Sequence, residues 1–389
     1  MRKLLTSPAQ LSLSDSENNI FQTALKYIAD LSLNLMAVKV TNHPEDFLGW
    51  CKELHRICKH DLNMDLLDEK QLAPLKKLQD TLELGISLTQ LKMVRIAPWP
   101  IFSSIIKEQA ELQSLTERLA LMDYISQLRT QSLEQMIEED RLVFSGKHTV
   151  KHDPSIYQFD VEWFGSTKGA KTFHNLLQTH PQEFDHALAH IPLEGEVNRA
   201  QYQGFVKGFK AIFSQHTDNE KAPLVAATRL LAMRRPDVFI NITNNNLSVL
   251  CQGLNIAKFN NQDFDSYYSD MVLSLHSFHW LNQAAPKDEQ ELQLWNIRAI
   301  LVDLFLYADE TQAQNSNYIK LRDKPSRTTS GVVKAMKRSK ESAEMLVDKA
   351  LEGDDIPEYL FDMRSTIVNS VKDGKTVEQA IGLMRTIFG

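Results

Sequence analysis

The chain has 389 residues, 43% of them hydrophobic and 24% charged, and its formal net charge is −7. These values are ordinary for a globular protein with two or three domains, and the net charge excludes a general electrostatic attraction to nucleic acid. No apolar run approaches the roughly 20 residues that cross a bilayer, so we expect no membrane contact.

Turn-forming residues are scarce, and this predicts the fold class. The 14 glycines and 13 prolines are few for this length, which argues against sandwiches and barrels with many tight turns. Long stretches rich in Leu, Gln, Ala, Glu and Lys favour helix. We therefore predict a mainly α protein of multi-helical bundle domains, with a long amphipathic helix and at most a minor strand element.

The N-terminus and the cysteines predict the compartment. The first residues are basic but lack the continuous apolar segment and the cleavage site of a signal peptide. Three cysteines cannot form a disulfide framework and fit a reducing environment. We expect a cytoplasmic location.

Residues 1–95 are predicted to form an N-terminal helical domain. Apolar residues repeat at helical spacing from about Asn18 to Val40, and further helices are predicted from about Pro44 to His60 and from about Asp68 to Leu84.

Three potential metal ligands lie in the second of these helices. Cys51, His55 and Cys58 occupy positions i, i+4 and i+7 of one face, and thiolates with imidazole suit zinc. The alternative is that both cysteines are small buried hydrophobic residues, because a fourth ligand and the usual cysteine spacing are absent. We assign no metal and no cofactor to the chain from its sequence.

Residues 96–145 are predicted to form one long amphipathic helix. Apolar residues from Ile105 to Met136 recur mostly every three or four positions, with polar residues between them. The heptad slips near Ser126, which favours packing within the same chain over a strict two-stranded coiled coil. Dimerisation through this helix is the alternative.

Residues 146–315 are predicted to form a central helical domain. The segment Tyr157–Trp163 alternates polar and apolar residues, as a half-exposed strand does. Helical periodicity then returns from Phe173 to Ala308.

The stretch WFGSTKGAKTF, residues 163–173, is similar to a phosphate-binding loop. Its glycine spacing departs from that motif, because Gly169 comes one position early and Ala170 stands where a glycine precedes the lysine. The matching acidic residue would be Asp303, but its surroundings keep the spacing of an interior helix. We predict a glycine-containing loop that caps the helix beginning near Thr172, and an ATPase acting through Lys171 and Thr172 is the alternative.

A local group of histidines follows this loop. His174, His180, His186 and His190 lie close in sequence, and the last two are one helical turn apart. Such a pair can bind a metal or relay protons, but no glutamate lies between them to complete a known motif. The alternative is a set of surface or hydrogen-bonded core histidines.

The segment Ala226–Leu250 has the most distinctive order of elements. A helix is predicted to end at Arg235 because Pro236 cannot continue it, and a short extended link leads to an Asn-rich helix start. Over about 25 residues this order resembles the helix-hairpin-helix DNA glycosylase superfamily.

The resemblance implies a related helical scaffold without glycosylase chemistry. Thr243 occupies the position of that family's catalytic aspartate, and the hairpin glycines that hold a DNA phosphate are absent from residues 221–227. Arg229, Arg234 and Arg235 are candidate contacts for an anionic partner. The alternative is a capped, buried hairpin with solvated arginines.

Residues 316–340 are predicted to form a basic linker, followed by a small C-terminal helical segment, 341–389. Eight basic residues against one aspartate give residues 320–340 a net charge of +7 and leave −14 on the rest of the chain. The candidate nucleic-acid or anion contacts are Lys320, Arg322, Lys324, Arg327, Lys334, Lys337, Arg338 and Lys340. The acidic residues that follow make docking within the chain the alternative. The last helix is predicted to begin with a capping box formed by Thr376 and Gln379.

No complete catalytic motif is present, so we assign no catalytic residue and expect a non-enzymatic helical adaptor or assembly subunit. Its expected partners are other protein subunits and, through the basic segment, nucleic acid. A place in a bacterial genome-defence or mobile-element system is part of this hypothesis. The alternative is an enzyme, either a phosphate-loop ATPase or a metal-dependent nuclease or hydrolase.

Overall fold

A computed structural model describes residues 1–218, 220–324, 343–352, 356–357, 359–372 and 376–388. The chain divides into two compact units, Met1–Lys324 and Pro325–Gly389. The described residues form a mainly α, multi-helical fold and contain no β-strand, which confirms the predicted class. None of the described helices combines the length and the apolar character needed to span a membrane.

Short helices dominate the larger unit. Its α-helices are α1 Arg2–Thr6, α2 Asp15–Asp30, α3 Ser32–Ala37, α4 Phe47–Arg56, α5 Glu69–Ile96, α6 Trp99–Glu108, α7 Leu115–Leu128, α8 Glu138–Ser145, α9 Lys171–Thr179, α10 Pro181–Leu188, α11 Arg199–His216, α12 Leu224–Arg234, α13 Leu247–Leu254, α14 Phe264–Ser266, α15 Leu273–His276, α16 Glu289–Asn296, α17 Glu310–Gln314 and α18 Asn317–Arg322. Four 3₁₀ segments, Ser7–Gln10, Met64–Leu66, His279–Asn282 and Ile300–Phe305, and two π-helical segments, Ile57–Asp61 and Tyr267–Val272, complete it.

The helices of the smaller unit surround a small core of their own. They are α19 Ala343–Leu351, α20 Tyr359–Asp362, α21 Arg364–Lys372 and α22 Val377–Phe388. Val347, Leu360 and Ile367 are fully buried there. The predicted capping box is confirmed, because Thr376 Oγ1 accepts from the Gln379 amide at 3.2 Å and Gln379 Oε1 accepts from the Thr376 amide at 3.1 Å.

Helix α5 belongs to both hydrophobic cores of the larger unit. Leu78 and Leu82 lie in an N-terminal core with residues of α2 and α4. Leu91 and Val94, near the end of the same helix, lie in a second core that extends to Phe305. The crossing with α13 is tight, since a Cβ added to Gly253 would lie 2.5 Å from Leu91. Residues 1–95 are therefore joined to the following helices by a continuous 28-residue helix.

The predicted long helix over residues 96–145 is wrong, because three helices, α6, α7 and α8, occupy this region. The break before α7 is marked by Ser114, which has a left-handed φ of 49°. The amide of Leu115 there donates to the carbonyl oxygen of Ala110 at 2.8 Å. Apolar periodicity survives these breaks because Ile106, Ile125 and Met136 all pack into the same core.

The predicted strand over Tyr157–Trp163 is also wrong, because this segment is irregular and ends in a turn that begins at Val161. Its alternation does not follow burial, since Asp160 is buried together with Phe159 and Val161 and only Gln158 is exposed. The backbone is stabilised by local contacts, including the Trp163 amide donating to the Asp160 carbonyl at 3.2 Å.

Candidate functional site

A groove opens between α4 with its π-helical continuation, α5 and the segment that follows Leu306. It has a volume of about 320 Å³, at the lower end of the range for small-ligand pockets. We call it the His55 groove, and we define it by Lys52, His55, Lys59, Ile86, Gln90, Leu112, Tyr307 and Asp309.

His55 lies between a carboxylate and a phenol. Its Nε2 is 3.2 Å from Oε1 of Glu83, and its Nδ1 is 3.5 Å from the hydroxyl of Tyr307. Burial, with smaller contributions from Asp309 and Glu83, raises the pKa of the Tyr307 hydroxyl, which therefore remains a hydrogen-bond donor at neutral pH. The contacts suit an imidazole with its proton on Nε2, which donates to Glu83 and accepts from Tyr307.

Charged side chains line the outer part of the His55 groove. Nζ of Lys59 lies 2.7 Å from Oδ2 of Asp309, and Thr311 donates to the same carboxylate. Burial raises the pKa of Asp309, but the hydrogen bonds from Lys59 and Thr311 outweigh it and lower that pKa to about 2. Lys52 is exposed and has no ion pair with any described residue. Lys52 therefore remains available as a cationic donor at this edge of the groove, which the exposed Glu310 also lines.

Gln90 lies on the buried side of the groove and has an unsatisfied acceptor. The residue is 4% exposed, and its Oε1 has no hydrogen-bond partner among the described residues. A buried polar atom left without a partner costs about 1–3 kcal/mol, so native proteins rarely retain one without a reason. Because this Oε1 is itself shielded from solvent, a ligand in the groove reaches it only if the Gln90 amide turns towards the groove.

The structure separates the three potential zinc ligands of α4 and its continuation. Cys51 and Cys58 are fully buried, and burial raises the pKa of both thiols, to about 12 for Cys58. Cys51 packs on α5, where a Cβ added to Gly85 would lie 2.8 Å from its Sγ. Both ring nitrogens of His55 face Glu83 and Tyr307 instead. The cysteines thus act as small hydrophobic residues.

The loop that is similar to a phosphate-binding motif is folded onto its own protein. The Thr167 amide donates to the Gly146 carbonyl at 2.9 Å, and the Ala170 amide donates to the Thr167 carbonyl at 2.8 Å. Gly165 has a left-handed φ of 106°, and helix α9 begins directly afterwards at Lys171. These two amides are therefore not free to bind phosphates. The geometry is that of a glycine-containing loop before a helix.

Asp303 is likewise occupied in the fold. It lies in a 3₁₀ segment, Ile300–Phe305, and its Oδ2 is 3.1 Å from Nη1 of Arg118. The guanidinium of Arg118 also stacks over the ring of Trp163 at 4.2 Å. The pair holds the 3₁₀ segment against α7.

The three candidate arginines near α12 are bound to the protein itself. Arg229 is 1% exposed and donates to the carbonyl oxygens of Val143, Phe144, Val161 and Trp163. Arg235 is 4% exposed and pairs with Asp237 at 2.8 Å. Arg234 donates to the carbonyls of Ile191 and Arg129, each at 3.2 Å. Since Arg229 and Arg235 are interior, neither is part of an exposed anion-binding surface, and the alternative of solvated arginines also fails for them.

The start of the basic segment is exposed. Lys320, Arg322 and Lys324 face solvent, and Arg322 pairs with Asp323 at 2.7 Å. The remaining candidates, Arg327, Lys334, Lys337, Arg338 and Lys340, lie outside the described residues.

The predicted histidine group separates into three environments. His174 is buried and bonded to Thr167, whereas His186 and His190 are exposed. His180 stacks on His216, with ring centroids 3.8 Å apart, and both rings face Glu183.

Sequence reasoning missed several functional candidates, namely Glu83, Gln90, Tyr307, Glu183 and His216. Their only shared sequence signal is polarity, because the residues that they contact lie on other helices. Gln90, for example, lies on a buried part of α5, where a glutamine among apolar residues was the available indication.

Comparison of the chain with protein-family models, with curated proteins and with solved structures found no match. The resemblance to helix-hairpin-helix glycosylases therefore stays a prediction. Thr243, which that resemblance would align with a catalytic aspartate, caps the turn before α13: its Oγ1 accepts from the Asn246 amide at 3.1 Å, and Asn246 Oδ1 accepts from the Thr243 amide at 2.6 Å.

Proposed function

We propose that the chain is a non-enzymatic helical adaptor that assembles with another protein by holding a segment of it in the His55 groove. The observation that carries the proposal is the unpaired Oε1 of Gln90 on the buried side of a groove whose outer part carries charges of both signs, with Lys52 unpaired. A bound segment supplies the missing donor once the Gln90 amide turns towards the groove.

The groove defines the chemistry of the segment. Ile86 and the 40% exposed Leu112 offer apolar contact, and they favour an aliphatic or aromatic anchor side chain. Lys52 is unpaired, and Lys59 uses one of its three donors for Asp309. Lys52 favours a carboxylate beside the anchor, because the charge of Lys59 is already balanced by Asp309. We therefore infer a partner segment in which an acidic residue flanks an apolar one, with an amide donor for Gln90.

Photo-crosslinking tests this assignment. Leu112 is replaced by a photo-crosslinking phenylalanine in the full chain, and native host cells are irradiated before purification and mass spectrometry. We expect one protein partner, crosslinked through an acidic and apolar segment. The same substitution at Lys207, an exposed residue of α11, is the matched control and should give no such product.

Two variants connect the crosslink to the groove. Gln90→Leu removes the unpaired acceptor, and Lys59→Glu reverses one charge; both should reduce the crosslink at position 112, while Lys207→Glu leaves it unchanged. A crosslink that survives both groove variants, or the capture of small molecules alone, contradicts the adaptor proposal.

Nucleic-acid association through the basic segment is a finer part of the same proposal. It is supported by the exposure of Lys320, Arg322 and Lys324. Binding should fall steeply with salt and should weaken on neutralising Lys334, Lys337, Arg338 and Lys340, because each phosphate contact releases counterions. An unchanged affinity removes this part. A role in bacterial genome defence or in a mobile element rests on the sequence, and the identity of the crosslinked partner tests it.

A second candidate function is catalysis in the same groove. One observation favours it: the His55 imidazole is held between Glu83 and Tyr307, as a general base is held by an orienting carboxylate. Screening ester, amide and phosphoester hydrolysis with wild type and His55→Gln separates the two functions. If wild type turns over a substrate and His55→Gln does not, catalysis replaces the adaptor proposal. If neither protein shows turnover and the crosslink at position 112 is intact in His55→Gln, the adaptor proposal is supported.

A further inference from the structure

A compact group of three side chains lies at one end of the α10 and α11 pair. His180 immediately precedes α10, Glu183 lies in its first turn, and His216 is the last residue of α11. Nε2 of His216 is 2.7 Å from Oε1 of Glu183, and Nδ1 of His180 is 3.5 Å from the same oxygen. One ligand atom from each of the three residues lies within 4.8 Å of the other two.

These separations match those of ligands around one small metal ion. Zinc binds imidazole nitrogen and carboxylate oxygen at about 2.0–2.2 Å, so two ligands of a tetrahedral ion lie about 3.4 Å apart. The two nitrogen–oxygen distances, 2.7 Å and 3.5 Å, fall on either side of that value. The distances are therefore suitable, and rotation of an imidazole is needed to place an ion between the three atoms.

The ring stacking sets a condition on how a cation binds here. The two imidazoles are nearly parallel, with an interplanar angle of 17° and centroids 3.8 Å apart. If both rings were protonated, two positive charges would face each other at this distance and repel. Each nitrogen lone pair lies in its own ring plane, and planes this nearly parallel do not meet at one ion. Binding of one ion by both neutral rings and the carboxylate therefore requires one imidazole to turn out of the stack.

We propose that His180, Glu183 and His216 form a Zn²⁺ site. Two nitrogen ligands and one oxygen ligand suit zinc, and the partly exposed side chains leave a fourth position open to water. The ion links the start of α10 to the end of α11, although Glu183 and His216 are 33 residues apart in the chain. The site is separate from the His55 groove, since none of its residues lines that groove.

The direct test uses untagged full-length protein that has been dialysed against a chelator. Calorimetric titration with ZnCl₂ should show one ion per chain, elemental analysis after removal of free metal should give the same ratio, and zinc should raise the unfolding temperature. Co²⁺ in place of zinc should produce the visible absorption bands of a low-coordinate site with nitrogen and oxygen ligands.

Matched variants decide whether these three residues hold the ion. His216→Ala and Glu183→Gln should each weaken zinc binding by about 100-fold or more, beyond the loss of about 10- to 100-fold caused by removing an outer-shell partner. They should also abolish the Co²⁺ bands while circular dichroism remains that of the wild type. His186→Ala, which removes an exposed histidine of the same helix, should change neither.

Two results overturn the proposal. One is wild-type protein that takes up no zinc in either calorimetry or elemental analysis. The other is zinc binding that keeps its affinity in both His216→Ala and Glu183→Gln. If either variant fails to fold, His180→Ala replaces it, with the same expected loss.

Discussion

Nη2 of Arg229 donates a hydrogen bond to the carbonyl oxygen of Val161 at 3.1 Å. Together with its other bonds, this contact joins α12 to the end of α8 and to the turns after Tyr157. Every acceptor is a main-chain carbonyl, and no carboxylate contacts the guanidinium among the described residues. Burial accordingly lowers the pKa of Arg229 to about 9, although Asp160, Glu162 and Asp303 partly oppose the effect.

We expect Arg229→Met to destabilise the protein by about 3–5 kcal/mol, because it leaves several buried carbonyls without donors. Arg229→Lys should cost nearly as much, since an ammonium cannot reproduce the planar set of donors. Urea unfolding followed by circular dichroism measures the change in free energy. Arg199→Met, an exposed control in α11, should stay within about 0.5 kcal/mol of wild type. A similarly small change for Arg229→Met would show that the buried bonds contribute little.

The loop from Trp163 to Phe173 gives a paired glycine test. Gly165→Ala places a Cβ at a left-handed φ of 106° and 2.9 Å from Nδ2 of Asn241, so we expect a loss of about 1–3 kcal/mol. Gly169→Ala meets no atom within 4 Å and should be neutral. Thermal unfolding with and without Mg²⁺ and ATP provides the measurement. Stabilisation by ATP that is lost in Gly169→Ala or Lys171→Ala would restore the phosphate-loop interpretation.

His174 predicts a specific loss of stability in acid. Burial, opposed by a hydrogen bond to the Thr167 carbonyl, lowers its pKa from 6.5 to about 4. Between these values the unfolded chain binds a proton that the folded protein does not, so the contribution is present above pH 6.5 and is lost as the pH falls towards 4. The full loss is about 3 kcal/mol.

Unfolding free energies measured from pH 7.5 to 4 test this prediction. His174→Gln should remove that part of the pH dependence, whereas His186→Gln, at an exposed position of α10, should keep it. Equal slopes in wild type and His174→Gln would show that the buried imidazole does not cause the acid sensitivity.

The pair formed by Arg118 and Asp303 is expected to be structural. Asp303→Asn leaves a 5% exposed guanidinium without its counter-charge, and we expect a loss of about 3–5 kcal/mol. A double-mutant cycle with Arg118→Met should show strong coupling, because the second change removes the unpaired charge. Asp323→Asn, which breaks an exposed pair with Arg322, should have no measurable effect. A stable Asp303→Asn protein that has lost a magnesium-dependent activity would indicate the catalytic role instead.

Local sequence signals predicted the helical class and several helix ends. Pro236 ended α12 within one residue of the predicted position, and Thr376 with Gln379 began α22 as expected. The breaks in residues 96–145 were not predictable, because Ser114 adopts a left-handed conformation that its sequence does not mark as a glycine would.

The interior position of Arg229 was not predictable either. A run of arginines near a helix end normally faces solvent, and its burial depends on carbonyls that α8 and the following turns bring from 66 to 86 residues away. The same reason applies to the His180 group, because His216 joins it only through the packing of α11 on α10. Contacts between distant segments therefore determine the candidate sites, whereas local patterns determine the helices.

Helix α5 has a mechanical consequence for the proposed adaptor. It contributes Ile86 and Gln90 to the groove, and its residues enter both hydrophobic cores. A bound segment that restricts the motion of α5 at the groove should also restrict the side chains packed against this helix in both cores. Binding in the groove should thus change the flexibility of parts of the larger unit that the bound segment does not contact.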